Sequence, residues 1–250
     1  MRKIEVEVLN PQAIQDAERM MVAAARLTQR GHKIKNLEDF HQLLDMPFSS
    51  GTVENMAKLP HPTIQKFGAI NVVVVGASRR FLAQITRHQN EVKFMSASLQ
   101  YSDYSGEADF VIPYEMLDTV QSAAYLTRCS AAMTEYHKLI EYGIGNDSAG
   151  YAAPQGLRNI LIISATPYQW KHMIGQRTCR RNTSETRYVM LKIWEQLFKF
   201  YPALFSPETT GPGCMREHCL EQRMSCGRPI GRKSPYEILK EDFSKLYKED

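Results

Sequence analysis

The sequence has no apolar run that could cross a membrane. None of its stretches approaches the roughly 18 consecutive apolar residues that a spanning helix needs. Residues 1–7 also lack the apolar region of a signal peptide. We therefore expect no membrane partner and a cytoplasmic location.

The sequence also lacks a large excess of positive over negative charge, or the reverse. The 31 basic residues barely outnumber the 27 acidic ones, which gives a net charge of +4. So small an excess does not by itself indicate a nucleic-acid-binding protein, and we expect no nucleic-acid partner. It would not repel a phosphorylated substrate either. The length of 250 residues allows one large domain or two small ones.

Cysteine is scarce and odd in number, which argues against a disulfide framework. There are five cysteines, and without an export signal we expect free thiols. Cys214, Cys219 and Cys226 fall close together with His218, and these are residue types that bind zinc. Their spacing does not match a paired C-x2-C pattern. We therefore assign no metal ligand, and leave open whether this segment binds a metal.

The sequence also lacks the signatures of several enzyme classes. It has no P-loop, no G-x-G-x-x-G after a strand, no H-E-x-x-H and no G-x-S-x-G. No cysteine sits in the context of a protease nucleophile. Because neither a nucleophile nor a metal is evident, we expect a bound cofactor to supply any demanding chemistry.

The hydrophobic pattern alternates between strand and helix periods along the chain. Its clearest strand is the β-branched apolar run at 69–75, which predicts a strand covered on both faces. Ser78 is expected to cap the helix that follows, and Thr166 with Pro167 is expected to begin another. The remaining predictions are a strand at 3–9, helices at 11–29 and 37–44, loops at 48–51, 59–62 and 96–110, a long helix at 114–142, turns at 147–155, a strand or short helix at 157–164, helices at 168–176 and 186–201, a loop at 202–234 and a charged helix or frayed end thereafter.

Two polar groups stand out. Gln84, Arg87 and His88 are spaced to share one helical face, and the loop that follows is rich in hydroxyls. This pattern suits a nucleotide or phosphate pocket, or else a solvated helix end whose cations interact with the helix dipole. The second group could grip a phosphate or carboxylate, or form an exposed basic turn. It consists of Arg177, Arg180, Arg181 and Arg187 with Asn182, Thr183 and Glu185.

Residues 76–89 and the Ser98–Ser102 segment resemble the signature of the flavin-dependent thymidylate synthases. That signature reads Arg-His-Arg, a spacer and Ser-x-Arg-Tyr-Ser, with a Gln three residues before the first Arg. Residues 165–178 are similar to the family's second characteristic segment, and His61 to Thr63 resembles its His-x-Ser/Thr element. The resemblance covers about residues 60–190.

The resemblance implies an α/β fold with a central, mostly antiparallel sheet flanked by helices. It implies a homotetramer with FAD and the active sites where subunits meet. The implied reaction is reductive methylation of dUMP to dTMP, with methylenetetrahydrofolate as carbon donor and NADPH as reductant. We expect the domain itself at 1–205, and a cysteine-containing extension at 206–250 packed on that same domain.

The resemblance also assigns residues. Arg177 is the implied catalytic residue, since a fixed cation beside the pyrimidine would favour its ionised form. The implied FAD contacts are Thr63, Arg87, His88, Gln89 and His172. The implied dUMP contacts are Gln84, Arg87, Ser96, Ala97, Ser98, Leu99, Gln100 and Arg177.

The sequence departs from the family pattern at several positions. Gln89 and Gln100 are neutral where the pattern has arginine, and Gly150 stands where a phosphate-contacting arginine is expected. Lys66 replaces an acidic residue, and the spacer is one residue longer. Arg158, Arg180 or Arg181 could compensate for the missing charge. The alternatives are a divergent relative acting on another pyrimidine nucleotide and a non-enzymatic, basic nucleic-acid-binding protein.

Overall fold

A single antiparallel sheet organises the protein. The computed structural model describes residues 3–102, 104, 106, 108–215 and 218–247. The strands are β1 Glu5–Val8, β2 Ile70–Ser78, β3 Val92–Ser96 and β4 Arg158–Ala165, in the order β1-β2-β4-β3. Every neighbouring pair is antiparallel, so the expected α/β fold with an antiparallel sheet is confirmed.

Helices follow the strands in chain order. The described helices are α1 Gln12–Arg30, α2 Leu37–Asp45, α3 Ser50–Lys58, α4 Arg79–Ile85, α5 Val120–Glu141, α6 Asn146–Ala149, α7 Pro167–Arg177, α8 Ser184–Phe200 and α9 Pro235–Asp242. Three of them, α4, α7 and α8, carry or support the candidate site.

The sheet buries one face only. Val72 and Val74 on β2 and Ile163 on β4 are fully buried beneath the helices. On the opposite face, Ile160 and Ile162 keep 45% and 41% of their surface exposed. The prediction that residues 69–75 are covered on both faces is therefore wrong for the single chain. The apolar run continues across both faces, but the helices of the described ranges cover just one of them.

The main core is built from α7 and α8 against the buried face of the sheet. Trp170 of α7 and Trp194 of α8 have no exposed surface. Each indole N–H finds a backbone acceptor, Ile70 O at 3.0 Å for Trp170 and Phe205 O at 2.8 Å for Trp194. Burial of large apolar side chains with satisfied polar atoms makes this the rigid support of the candidate site.

The long helix begins later than the pattern predicts. Tyr114–Met116 forms a separate 3-10 turn, and Asp118 has a left-handed φ of 59°, which interrupts any helix. Helix α5 therefore starts at Val120 and ends at Glu141. With Cys129, Met133 and Tyr136 it forms a second, smaller core that includes Phe110 and Leu157.

Other local predictions have mixed outcomes. Ser78 accepts a hydrogen bond from Phe81 N, and Thr166 accepts one from Gln169 N, so both predicted caps are confirmed. Helix α3 was not predicted and begins inside the predicted loop at 48–51, because Ser49 caps it by accepting from Thr52 N. Strand β3 was also missed.

The described residues between 202 and 234 are loop-like, as predicted, until Ser234 and Glu237 form a capping box that begins α9. Ile238, Leu239 and Phe243 bury themselves in the same core as α8. Among the described residues, no helix combines the length and apolar character needed to cross a bilayer.

Candidate functional site

Helix α4 ends before the Arg87-His88 pair, which changes how these side chains are displayed. Thr86 is the C-cap, and the chain then turns, with His88 N donating to Ile85 O at 3.1 Å. As a result Arg87 and Gln89 are exposed whereas His88 is only 6% exposed. The prediction that Gln84, Arg87 and His88 share one helical face is therefore wrong.

Arg177, the last residue of α7, instead connects these segments. Its Nε donates to His88 Nε2 at 2.8 Å, and its Nη2 donates to the backbone oxygen of Gln84 at 3.0 Å. Its Nη1 donates to Asn182 Oδ1 at 3.3 Å. A guanidinium cannot accept a hydrogen bond, so His88 Nε2 must be unprotonated. We define the arginine–histidine cluster as Arg87, His88, His172 and Arg177.

The electrostatics of the arginine–histidine cluster keep His88 neutral. Burial, followed by the positive charge of Arg177 and the neighbouring His172, lowers the pKa of His88 to about 4. The two imidazole rings meet edge to face, with centroids 5.9 Å apart. Burial and the nearby Arg87 guanidinium lower the pKa of Arg177. The cluster therefore presents cations that a bound anion would stabilise.

Gln84 is anchored through its side-chain oxygen. Thr183 Oγ1 donates to Gln84 Oε1 at 3.2 Å, and Thr186 Oγ1 donates to the same atom at 2.5 Å. Thr183 also caps α8, so the start of that helix holds Gln84 in place. With the oxygen committed, the amide nitrogen is the end of Gln84 that can donate to a ligand.

The turn that carries Thr63 packs against the helix that carries His172. Thr63 lies exposed in a 3-10 turn, Pro62–Lys66. Gln65 Oε1 of that turn accepts from Lys171 Nζ at 2.8 Å, which joins the turn to α7. Lys66, where the family pattern has an acidic residue, pairs with Glu91 at 2.7 Å.

The Ser96–Gln100 loop follows β3 and faces a separate cavity. Ala97 N donates to Ile160 O at 3.2 Å, and Gln100 N donates to Ser98 Oγ at 3.0 Å. The cavity next to the loop has a volume of about 510 Å³. The described residues that line it are Arg79, Ser98, Leu99, Gln100, Asp147, Gly150, Tyr151, Ala153 and Gln155.

Arg177 and the Ser98–Gln100 part of the loop, all expected dUMP contacts, thus line different cavities. Arg177 and His172 line a cavity of about 490 Å³, which Gly211–Cys214 also line. Ser98 and Gln100 line the other cavity, and the two cavities have no described lining residue in common. Within one chain, the described residues do not bring both groups into one pocket.

Two arginines of the second group bind a carboxylate of the protein itself. Arg180 Nη2 lies 2.8 Å from Asp242 Oδ1, and Arg187 pairs with the other oxygen of the same carboxylate. Burial opposes the charge of Asp242, but hydrogen bonds and charge from both arginines outweigh it and lower its pKa. Arg180, which precedes α8, and Arg187 of α8 therefore fasten α9 to this part of the fold.

The other arginines suggested as compensation are also engaged elsewhere. Arg158 bonds to Gly76 O at 2.6 Å and pairs with Asp109 at 3.0 Å. Arg181 donates to Met224 O at 2.6 Å. Neither lines the cavity beside Gln100. Arg79 does line it, and nothing in the sequence distinguishes Arg79 from the adjacent Arg80.

The five cysteines are free thiols. Cys214 and Cys219 line the 490 Å³ cavity together with Cys179. Burial raises the pKa of the Cys179 thiol. Across the described ranges, no three His, Cys, Asp or Glu side chains converge as a metal ion would require.

Comparison with known proteins matches the chain to a family. The family model described as "Thymidylate synthase complementing protein" matches residues 11–203. A protein from Geobacter sulfurreducens named flavin-dependent thymidylate synthase is 22% identical over 215 residues, covering 85% of this chain and 90% of its own. One of the same name from Saccharolobus solfataricus is 29% identical over 84 residues, covering 34% of this chain and 32% of its own.

A solved structure has a similar fold. It is a UMP/dUMP methylase, PolB, from Streptomyces cacaoi, bound with 5-Br dUMP. The likeness has a TM-score of 0.62 at 17% sequence identity, and it covers 81% of this chain and 93% of that one.

Proposed function

The chain belongs to the thymidylate synthase complementing protein family, and on that premise we propose that it is a flavin-dependent thymidylate synthase. The proposed reaction converts dUMP to dTMP by reductive methylation. Methylenetetrahydrofolate donates the carbon, and NADPH is the reductant. The observation that carries the proposal is the convergence of Arg177, His88 and Gln84 from two distant motif segments.

Arg177 has the properties of a group that polarises the pyrimidine. Bonds to His88, Asn182 and the Gln84 backbone fix its guanidinium in one orientation. A preorganised cation stabilises negative charge developing on a ring nitrogen without reorganising during the reaction. Because His88 is neutral and accepts from Arg177, it orients this cation and adds no charge of its own.

The surroundings of the arginine–histidine cluster fit FAD. Arg87 is exposed and close enough to Arg177 to affect its pKa, so an anionic group such as a diphosphate would relieve their repulsion. Arg87, His88, Gln89, His172 and Thr63 are the residues that would hold the cofactor. Bound FAD would supply the redox chemistry that the side chains lack.

We further propose that active sites form between subunits of a homotetramer. Supporting this, Arg177 lines one cavity whereas Ser98, Leu99 and Gln100 line another, so the Ser96–Gln100 loop of one subunit would complete the arginine–histidine cluster of another. An uncovered apolar sheet face is also available for assembly, and Met95 on it is 73% exposed. The proposed extension at 206–250 would stay packed on its own domain through α9.

A second candidate function is methylation of another pyrimidine nucleotide. Gln100 and Gly150 are neutral where the family pattern has arginines. The loss of these two positive charges favours a nucleotide other than dUMP as the substrate. The PolB structure is described as a UMP/dUMP methylase. A nucleic-acid-binding role has less support, because Arg180 and Arg187 are paired with Asp242.

The reaction is tested by tritium release from uracil-labelled dUMP, with labelled UMP in parallel. We expect a yellow protein that releases tritium from dUMP only when NADPH and methylenetetrahydrofolate are both present. Release from UMP alone would replace the first candidate with the second. A protein that stays colourless after FAD is added would refute both.

A further inference from the structure

The cavity beside the Ser96–Gln100 loop lacks the arginines that the family pattern places there, yet it is not without positive charge. Gln100 and Gly150, the two neutral replacements, both line it. Of the described residues that line the cavity, Arg79 alone is basic. The charge missing from the motif positions is therefore present on a different element, the first turn of α4.

The side chain of Arg79 carries an unsatisfied donor. Its Nη1 atom is buried and has no hydrogen-bond partner in the described structure. A buried guanidinium nitrogen without an acceptor is unfavourable, and such groups in native proteins are rare enough to require an explanation. A phosphate oxygen is the acceptor that best matches a guanidinium in charge and geometry.

Backbone contacts hold Arg79 against the cavity wall. Arg79 N donates to Leu157 O at 3.0 Å, and Arg80 N donates to Gln155 O at 3.0 Å. These bonds tie the start of α4 to the segment that precedes β4, and Gln155 itself lines the cavity. The position of Arg79 is therefore set by the fold rather than by its own side chain.

The loop packs tightly against position 150. A Cβ atom added to Gly150 would lie 3.1 Å from Leu99 Cβ, a tighter approach than such atoms ordinarily make. Any side chain at position 150 would therefore require Leu99 to shift by a few tenths of an ångström. Arg79 faces the same cavity from α4 without this constraint.

We propose that Arg79 binds the 5′-phosphate of the pyrimidine nucleotide, taking over from the arginines absent at positions 100 and 150. The Ser98 hydroxyl lies in the same cavity and can donate to the same group. Asp147, an exposed carboxylate on the rim, opposes an anion and limits the affinity. The identity of the nucleotide rests on the proposed function, whereas the phosphate contact does not.

The test compares binding of dUMP and deoxyuridine, which differ only in the phosphate. In calorimetric titrations, wild-type protein should bind dUMP at least tenfold more tightly than deoxyuridine. Arg79→Gln should weaken dUMP binding about 10- to 100-fold, the usual effect of losing a charge-assisted hydrogen bond, and leave deoxyuridine unchanged. Arg30→Gln, a distant exposed arginine of α1, is the matched control and should bind like the wild type.

Two further variants guard against a folding defect. Arg79→Lys should give an intermediate affinity, since it keeps the charge but not the planar donors. Adding Gln100→Arg to the Arg79→Gln variant should restore its affinity for dUMP. If Arg79→Gln does not fold, Gln100→Arg is tested in the wild-type background, where it should tighten dUMP binding. A folded Arg79→Gln variant with dUMP affinity within twofold of wild type would overturn the proposal.

The outcomes separate this proposal from the reaction. The same titrations with UMP and uridine measure how much the phosphate adds to the affinity, whichever nucleotide is the substrate. If the wild type releases no tritium but Arg79→Gln abolishes its preference for nucleotides over nucleosides, the reaction is refuted and the phosphate site stands. Tritium release by a wild type that binds dUMP and deoxyuridine equally would refute the phosphate site alone.

Discussion

Acidification should destabilise this protein through a single buried histidine. His88 accepts a hydrogen bond from Arg177 and has its pKa lowered from 6.5 to about 4. As pH falls below 6.5, the unfolded chain binds a proton at this residue before the folded protein does. The contribution of His88 to stability is therefore constant above about pH 7 and is lost between about pH 6.5 and pH 4.

The size of this effect follows from the pKa shift. A shift of one pKa unit corresponds to about 1.4 kcal/mol, so His88 should lower the free energy of unfolding by about 2 kcal/mol at pH 5 and about 3 kcal/mol at pH 4. Protonation also places a second cation against Arg177, which would disconnect α7 from the turn after α4. The arginine–histidine cluster should open before the rest of the core unfolds.

His88→Gln isolates the effect, because glutamine can still accept from Arg177 but does not titrate. The measurement is urea unfolding of both proteins at pH 7, 6, 5 and 4, at one protein concentration so that assembly contributes equally. Other titrating groups cancel in the difference between the two proteins. The reasoning is refuted if this difference is the same at pH 7 and pH 5.

Three further changes probe separate parts of the structure. Asp242→Asn should lower the free energy of unfolding by about 3 kcal/mol, because it leaves Arg180 and Arg187 without their carboxylate. Its control is Glu241→Gln, which removes a charge from an exposed ion pair and should change that free energy by less than about 1 kcal/mol in the same urea assay. Arg177→Lys should lower tritium release more than 100-fold while flavin absorbance persists, because lysine cannot bridge the same partners; loss of the flavin would mean that Arg177 holds the cofactor instead. Ile162→Glu should reduce the assembly to smaller species in sedimentation, because it places charge on the exposed apolar face of the sheet; an unchanged mass would exclude that face from the interface.

Local pattern was a good guide wherever local forces decide the backbone. The caps at Ser78 and Thr166 were predicted because a hydroxyl followed by a helical run is satisfied within its own turn. The start of α5 was missed because Asp118 adopts a left-handed conformation that its residue type does not announce. The end of α4 was missed for a similar reason, since a run of polar residues continues the helical pattern past the turn.

The candidate site likewise has residues that the sequence identifies and contacts that it does not reveal. The motif residues around Arg87-His88 and Arg177 could be identified from their order along the chain, and the family follows from them. Their contacts could not, because Arg177 reaches Gln84 O and His88 across 93 and 89 residues. The sequence suggested Arg158, Arg180 or Arg181 as replacements for the missing phosphate arginines, and it overlooked Arg79.

By itself, then, the sequence determined the family, the alternation of strands and helices, and the residue types available for chemistry. These depend on neighbours in the chain, on spacing and on short motifs. Only the tertiary structure decided which arginines hold other parts of the fold in place and which face a cavity. Arg180 and Arg187 look available in the sequence, but both pair with the carboxylate of Asp242, which the packing of α9 on α8 brings close to them. Arg79 is left with a buried donor because the fold sets α4 against the Ser96–Gln100 loop, a pairing that no local pattern encodes.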